Sequence, residues 1–156
     1  MPESISLKRP ILWIHGEALG PANPALVAWP GQPAVFVFDT ALIMGAGLMA
    51  SNSLSLKRLG FLYECLLELP VTIRRGDVAA EVLSFARRHQ ADGVVTCAAV
   101  HPRFQELAVA ISAALPLEVL PQEPFVELES DDLRRFSRYW RRAEPRVWRG
   151  WSIDTH

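Results

Sequence analysis

A small group of polar residues follows two short apolar runs and could form a ligand-binding site. His15, Gly16 and Glu17 come directly after the run 11–14, and Cys97 and His101 come at and after the end of the run 93–98. If the two runs are neighbouring strands of a parallel sheet, their carboxyl ends meet in the crevice where such sheets bind ligands. We therefore treat these five residues as a candidate small-molecule site. The alternative interpretation is that they are solvated loop residues that bind no ligand.

No local motif assigns catalytic or metal-binding chemistry to the sequence. The phosphate-loop patterns GxGxxG and GxxxxGK(S/T) are absent, and Gly45-Ala46-Gly47 lacks the strand-to-helix context of such loops. The two cysteines, Cys65 and Cys97, have neither CxxC spacing nor a matching pair of histidines, which excludes a redox dithiol, a zinc ribbon and a disulfide scaffold. We therefore predict no catalytic residue and no metal ligand.

Length and composition indicate one globular domain rather than a membrane protein. The chain has 156 residues, of which 50% are hydrophobic and 21% are charged, so it can bury a core without a disulfide or a metal. Charged residues interrupt the opening segment, so no signal peptide is predicted. The most apolar stretch, 41–50, is much shorter than the roughly 20 residues that a membrane-spanning helix needs. We expect a cytoplasmic protein without a membrane partner.

The net charge of the chain is −1, but the charge is unevenly distributed, and the C-terminal end is basic. Residues 1–130 carry 9 basic and 13 acidic side chains, a net charge of −4, whereas residues 131–156 carry 7 and 4, a net charge of +3. We therefore divide the chain into an α/β domain, 1–130, and a C-terminal arm, 131–156. The acidic domain offers no broad positive field to a phosphate backbone, so we expect nucleic acid to bind, if at all, only through the arm.

Short apolar runs that alternate with helical patterns predict an α/β fold. Uninterrupted apolar strands are typical of a parallel sheet that is covered on both faces. Helices between the strands imply right-handed crossovers and a doubly wound, Rossmann-like sheet. We expect five strands in the order 3-2-1-4-5, helices on both faces and a helical C-terminal arm. The predicted strands are 11–14, 34–38, 71–73, 93–98 and 117–120, and the predicted helices are 56–69, one capped by Asp77, and 102–115.

The arm has the pattern of a basic amphipathic helix. Leu133, Phe136 and Trp140 recur at three- and four-residue steps, with arginines between them. Pro145 is expected to interrupt this helix near Glu144. Because large apolar side chains need burial, we predict that Leu133, Phe136 and Trp140 dock on the chain's own sheet or on a partner, such as a second copy of the chain. Stacking of single-stranded nucleic acid on the arm is the least favoured interpretation.

Five segments, in order along the chain, carry motifs of a known family. Residues 13–26, WIHGEALGPANPAL, are similar to W-F-R-R-D-L-R-x-x-D-N-P-A-L, and share its tryptophan and its closing N-P-A-L. Residues 57–66 resemble R-R-L-x-F-L-x-E-S-L, residues 71–77 resemble V-x-x-R-x-G-D, and residues 136–141 resemble F-T-P-F-W-R. Residues 35–39 resemble the second strand of the same family. These motifs are those of the N-terminal α/β domain of DNA photolyases and cryptochromes, which the chain resembles over nearly its whole length.

The departures from this family bear on function. The family's two arginines after the first strand are His15 and Gly16 here, and its aspartate is Glu17. Where the family often reads Y-A-N-R-E-Y-E-P-Y after the fourth strand, this chain reads VTCAAVHPR over residues 95–103 and keeps only Pro102. Polar residues of that stretch help to bind the antenna chromophore in those relatives that carry one. The resemblance therefore implies an altered antenna site.

The resemblance implies a non-catalytic module that binds a small chromophore or a partner. The antenna chromophores it suggests are a folate, a flavin or a deazaflavin. The family holds its FAD and its DNA-lesion pocket in a later helical domain, so we do not expect this chain to bind FAD in the catalytic manner or to repair DNA by itself. A separate flavin protein is a candidate partner. The alternatives are a nucleotide-binding protein similar to universal stress proteins and a nucleic-acid binder that acts through its arm.

Overall fold

Across residues 6–44, 54–124, 126 and 135–148, which the computed structural model describes, five parallel β-strands form one sheet. The strands lie in the order β3-β2-β1-β4-β5, and each neighbouring pair is parallel. The predicted fold class, strand number and strand order are therefore confirmed. The strands are β1 (Ile11–Ile14), β2 (Ala34–Asp39), β3 (Thr72–Gly76), β4 (Val94–Cys97) and β5 (Leu117–Leu120).

Most helices in the same described ranges begin at side chains that cap their first turns, although Arg135 provides no such cap to the helix that follows it. Asn23, Ser55, Asp77 and His101 each accept a hydrogen bond from a backbone N–H one to three residues into the following helix. The two shortest helices, of five residues each, were not predicted, because so short a segment shows no helical period. The helices are α1 (Pro24–Ala28), α2 (Thr40–Met44), α3 (Leu56–Leu67), α4 (Val78–Arg88), α5 (Pro102–Ser112) and α6 (Phe136–Val147).

Strand β1 supplies core residues to both faces of the sheet, and all four of its side chains are buried. Ile11 and Trp13 pack on the face that α4 and α5 cover. Leu12 and Ile14 pack on the opposite face, with Leu66 of α3 and residues of α1. This two-sided burial explains why the strand reads as an uninterrupted apolar run.

The sheet and α1 to α5 belong to one compact unit, residues 1–122, and α6 belongs to a second, residues 123–156. The prediction that Pro145 interrupts the helix is wrong, because α6 continues to Val147. Pro145 lies in the last turn of the helix. Its missing N–H removes one helical hydrogen bond, the one that the Arg141 carbonyl would accept. Both residues are exposed, so water can reach that carbonyl. The predicted domain boundary, between 130 and 131, lies outside the described residues.

Candidate functional site

His15, directly after β1, is held by the protein as a neutral imidazole. Its Nε2 lies 2.8 Å from the carbonyl oxygen of Cys97, which can only accept a hydrogen bond, so Nε2 carries the proton. Its Nδ1 accepts a hydrogen bond of 3.3 Å from the backbone N–H of Glu17. Burial lowers the pKa of His15 below its ordinary value of 6.5, and the Cys97 hydrogen bond and the Glu17 charge only partly offset this effect. Both ring nitrogens therefore bind protein atoms rather than point to a ligand.

We expect the free energy of unfolding to fall as the pH falls below about 6.5, because unfolded His15 then binds a proton that the folded protein excludes. The stabilising contribution is complete above pH 6.5 and is lost as the pH falls through the lower pKa of the folded state. Urea unfolding at pH 7.5 and pH 5.5 measures this loss. His15→Gln removes the titrating group and should flatten the dependence over this range. If the free energy of unfolding of His15→Gln fell just as steeply with pH, His15 would not be the group responsible.

Glu17 joins the loop after β1 to the start of α5. Its carboxylate accepts hydrogen bonds from the backbone N–H groups of Val100, at 2.9 Å, and His101, at 3.1 Å. His101 in turn caps α5, since its Nδ1 accepts from the backbone N–H of Arg103 at 3.1 Å. The structure therefore brings the candidate residues of the two loops together, as the carboxyl ends of adjacent strands require. Most of the polar atoms that were expected to bind a ligand instead form hydrogen bonds between these two loops.

Cys97, at the end of β4, is fully buried. Its Sγ lies 3.6 Å from the amide nitrogens of both Asn23 and Gln122 and 3.3 Å from Nε2 of His15. Burial raises the pKa of the Cys97 thiol, although the two amide hydrogen bonds act in the opposite direction. A buried, protonated thiol is a poor nucleophile. Cys97 thus supports the site through its backbone carbonyl and its packing.

An apolar cavity of about 400 Å³ opens at the carboxyl ends of β1 and β2, between α3 on one side and α5 on the other. Its lining includes four of the candidate residues, His15, Gly16, Glu17 and His101, but not Cys97. Its lining includes the buried rings of Trp13 and Phe104, which stack on each other with ring centroids 5.4 Å apart and an interplanar angle of 13°. Phe36 and Phe38 of β2 also line it. The cavity can enclose a flat, largely apolar molecule.

Three charged residues that the sequence did not single out form an ion-pair network beside this cavity. Nε of Arg103 lies 3.1 Å from the Asp39 carboxylate, and Nη1 of Arg103 lies 3.0 Å from the Glu106 carboxylate. Partial burial alone would lower the pKa of Arg103, but Glu106 and Asp39 raise it above its ordinary value. In the sequence, Asp39 ends an apolar run and Arg103 lies in the first turn of a helix. Only the order of the strands could have indicated that the two side chains lie close together. The network connects the end of β2 to α5.

The predicted docking residues of the arm lie in the second unit. Phe136 is 74% exposed, and its ring stacks on Trp140 with centroids 6.1 Å apart. Leu133 lies outside the described residues. Within the described ranges, no three or more His, Cys, Asp or Glu side chains group as potential metal ligands. No helix there is both long and apolar enough to cross a membrane.

Comparison with solved structures finds a bacterial class III photolyase from Agrobacterium tumefaciens, with a TM-score of 0.51 and 20% sequence identity. The match covers 92% of this chain and 33% of the photolyase chain, so this chain spans about a third of that protein's length. No protein-family model and no curated protein sequence matches this chain. At this level of identity the comparison shows a shared fold, the α/β fold of a part of a photolyase.

Proposed function

We propose that this chain is a photolyase-related α/β module that binds a planar aromatic chromophore and performs no repair chemistry by itself. The apolar cavity at the ends of β1 and β2 is the observation that supports this proposal most directly. Its volume of about 400 Å³ falls within the range of small-molecule sites, roughly 300–1,000 Å³. Among the aromatic side chains that line it, Phe38 is only partly buried, so its ring could contact a flat ring system. A folate, a flavin and a deazaflavin are the candidate chromophores.

The same geometry disfavours the alternative of a protein that holds nucleotide phosphates at the start of α5. Backbone N–H groups at a helix start are a common phosphate site. Here the N–H groups of Val100 and His101 already donate to the Glu17 carboxylate. A phosphate would have to displace this carboxylate and would meet its negative charge. We therefore favour a chromophore that lies in the cavity over a nucleotide held at this loop.

The absorption spectrum of the purified protein, combined with thermal unfolding, tests the proposed function. A near-ultraviolet or visible band of a folate, flavin or deazaflavin would support it, as would a rise in melting temperature when one of these molecules is added. A colourless protein that retains ATP would favour the nucleotide alternative. If none of these molecules shifts the melting temperature at millimolar concentration, the cavity is not a chromophore site and the proposal is wrong.

We further propose that the arm docks on a second copy of the chain through Leu133, Phe136 and Trp140. Burial of each large apolar side chain contributes roughly 1.5–3 kcal/mol, and Phe136 remains 74% exposed in the single chain. Truncation after Ser130 should therefore reduce the molecular mass in solution from that of a dimer to that of a monomer. Light scattering measures this change.

Phe136→Ser, combined with Trp140→Ser, should have the same effect in the full-length chain. The matched control is Ser137→Ala, a substitution within the same helix that leaves the apolar side chains in place. A full-length chain that is monomeric at all concentrations would contradict self-association. If the molecular mass of the full-length chain in solution increased only when a flavoprotein was added, a separate flavin protein would be the partner instead.

A further inference from the structure

Arg58, near the start of α3, is an exposed residue that also lines the cavity. It lines the cavity together with Leu62, four residues further along the same helix face, and with Leu54, which precedes the Ser55 cap. Its backbone N–H donates to the capping hydroxyl of Ser55, so the position of its main chain is fixed. In the described part of the chain, no acceptor contacts its guanidinium. The residues three and four positions away, 54, 55, 61 and 62, include no carboxylate.

The other charged groups around the cavity already have partners. Arg103 binds Asp39 and Glu106 through Nε and Nη1. The second carboxylate oxygen of Asp39 accepts from the backbone N–H of Ala41 at 2.9 Å. Both oxygens of Glu17 accept backbone hydrogen bonds. Arg58 is thus the cavity cation that lacks a counter-charge among the described residues.

We infer that the ligand of this cavity carries an anionic group, a phosphate or a carboxylate, and that Arg58 binds it. This inference rests on the proposed function and specifies the chemical class of the chromophore. A guanidinium binds either anion through two parallel N–H donors, which adds both affinity and orientation. The anion would lie beside Arg58, on the α3 side of the cavity. The aromatic part of the ligand would then contact the partly buried ring of Phe38.

Riboflavin and FMN test the inference because they share one ring system and differ by a phosphate. Quenching of flavin fluorescence gives the dissociation constant of each. We expect FMN to bind at least about tenfold more tightly than riboflavin, because its phosphate can form charge-assisted hydrogen bonds with Arg58. Arg58→Gln should remove this preference, weaken FMN binding to the level of riboflavin and leave riboflavin binding unchanged. Added salt should weaken FMN binding more than riboflavin binding.

Lys57→Gln is the matched control, since it removes the adjacent cation, which is exposed as Arg58 is but does not line the cavity. It should leave the preference for FMN intact. Equal binding of the two flavins to the unmodified protein would overturn the inference but not the proposed function. A preference for FMN that survives in Arg58→Gln would also overturn it. If neither flavin binds, the proposed flavin-sized chromophore site and the role of Arg58 are both wrong.

Discussion

Arg103→Met should lower the free energy of unfolding by about 3 kcal/mol, because it leaves the buried carboxylate of Asp39 without its counter-charge. The Asp39 side chain is only 6% exposed, whereas its partner Arg103 is 23% exposed. This partial exposure places the expected cost at the low end of the range for a broken buried ion pair. Methionine retains much of the apolar length of arginine, so the change removes charge with little loss of packing. Urea unfolding at neutral pH measures the difference.

Two further variants separate the ion pair from other effects of this substitution. Glu106→Gln removes the other ion-pair partner of Arg103. Because the Glu106 side chain is 57% exposed, this change should lower the free energy of unfolding by less than about 1 kcal/mol. Asp39→Asn, added to Arg103→Met, removes the unpaired buried charge while its amide oxygen can still accept from Ala41. The double variant should therefore recover part of the lost stability. If Glu106→Gln is as damaging as Arg103→Met, or if the double variant recovers nothing, the buried Asp39 charge is not the cause.

The sheet could be predicted because each strand is a local pattern. A strand buried on both faces must be apolar at every position, as in β1, and such a run is visible without any knowledge of its neighbours. The start of α4 was equally visible, since its capping residue, Asp77, acts within three residues of itself. The rule that ligands lie at the carboxyl ends of such strands then led to His15 and its neighbours. The cavity lies beside these residues, but their ligand-binding role stays a prediction.

The contacts of the site residues could not be predicted, because they join residues distant in sequence. The Asp39 to Arg103 pair spans 64 residues, and the hydrogen bond from the backbone N–H of His101 to the Glu17 carboxylate spans 84. A histidine that follows a strand can point to a ligand or to a backbone carbonyl, and only the pairing of β1 with β4 places the Cys97 carbonyl beside His15. The sequence therefore identifies the edge of the sheet that carries the site, and the structure identifies which side chains remain available there.

Gly16 is the residue at which the proposed site can be blocked with the least damage to the fold. It lies on the exposed rim of the cavity, and a Cβ built there would meet only Leu62 Cδ2, at 3.9 Å, an ordinary contact. Its backbone is outside the left-handed region, so a larger residue introduces no strain. A phenylalanine side chain at this position would extend along the α3 wall, into the space that the chromophore would occupy. The cavity is small enough that one ring removes much of it.

We therefore expect Gly16→Phe to weaken binding of the chromophore about 100-fold or more, a loss of about 2.7 kcal/mol, while the melting temperature of the unliganded protein changes little. Gly20→Phe is the matched control, because Gly20 also has open space around its Cα and does not line the cavity. Dissociation constants and melting curves of both variants give the comparison. Undiminished binding to Gly16→Phe would place the chromophore elsewhere. Equal loss of binding in both variants would show that the effect arises from the loop after β1 rather than from the volume of the cavity.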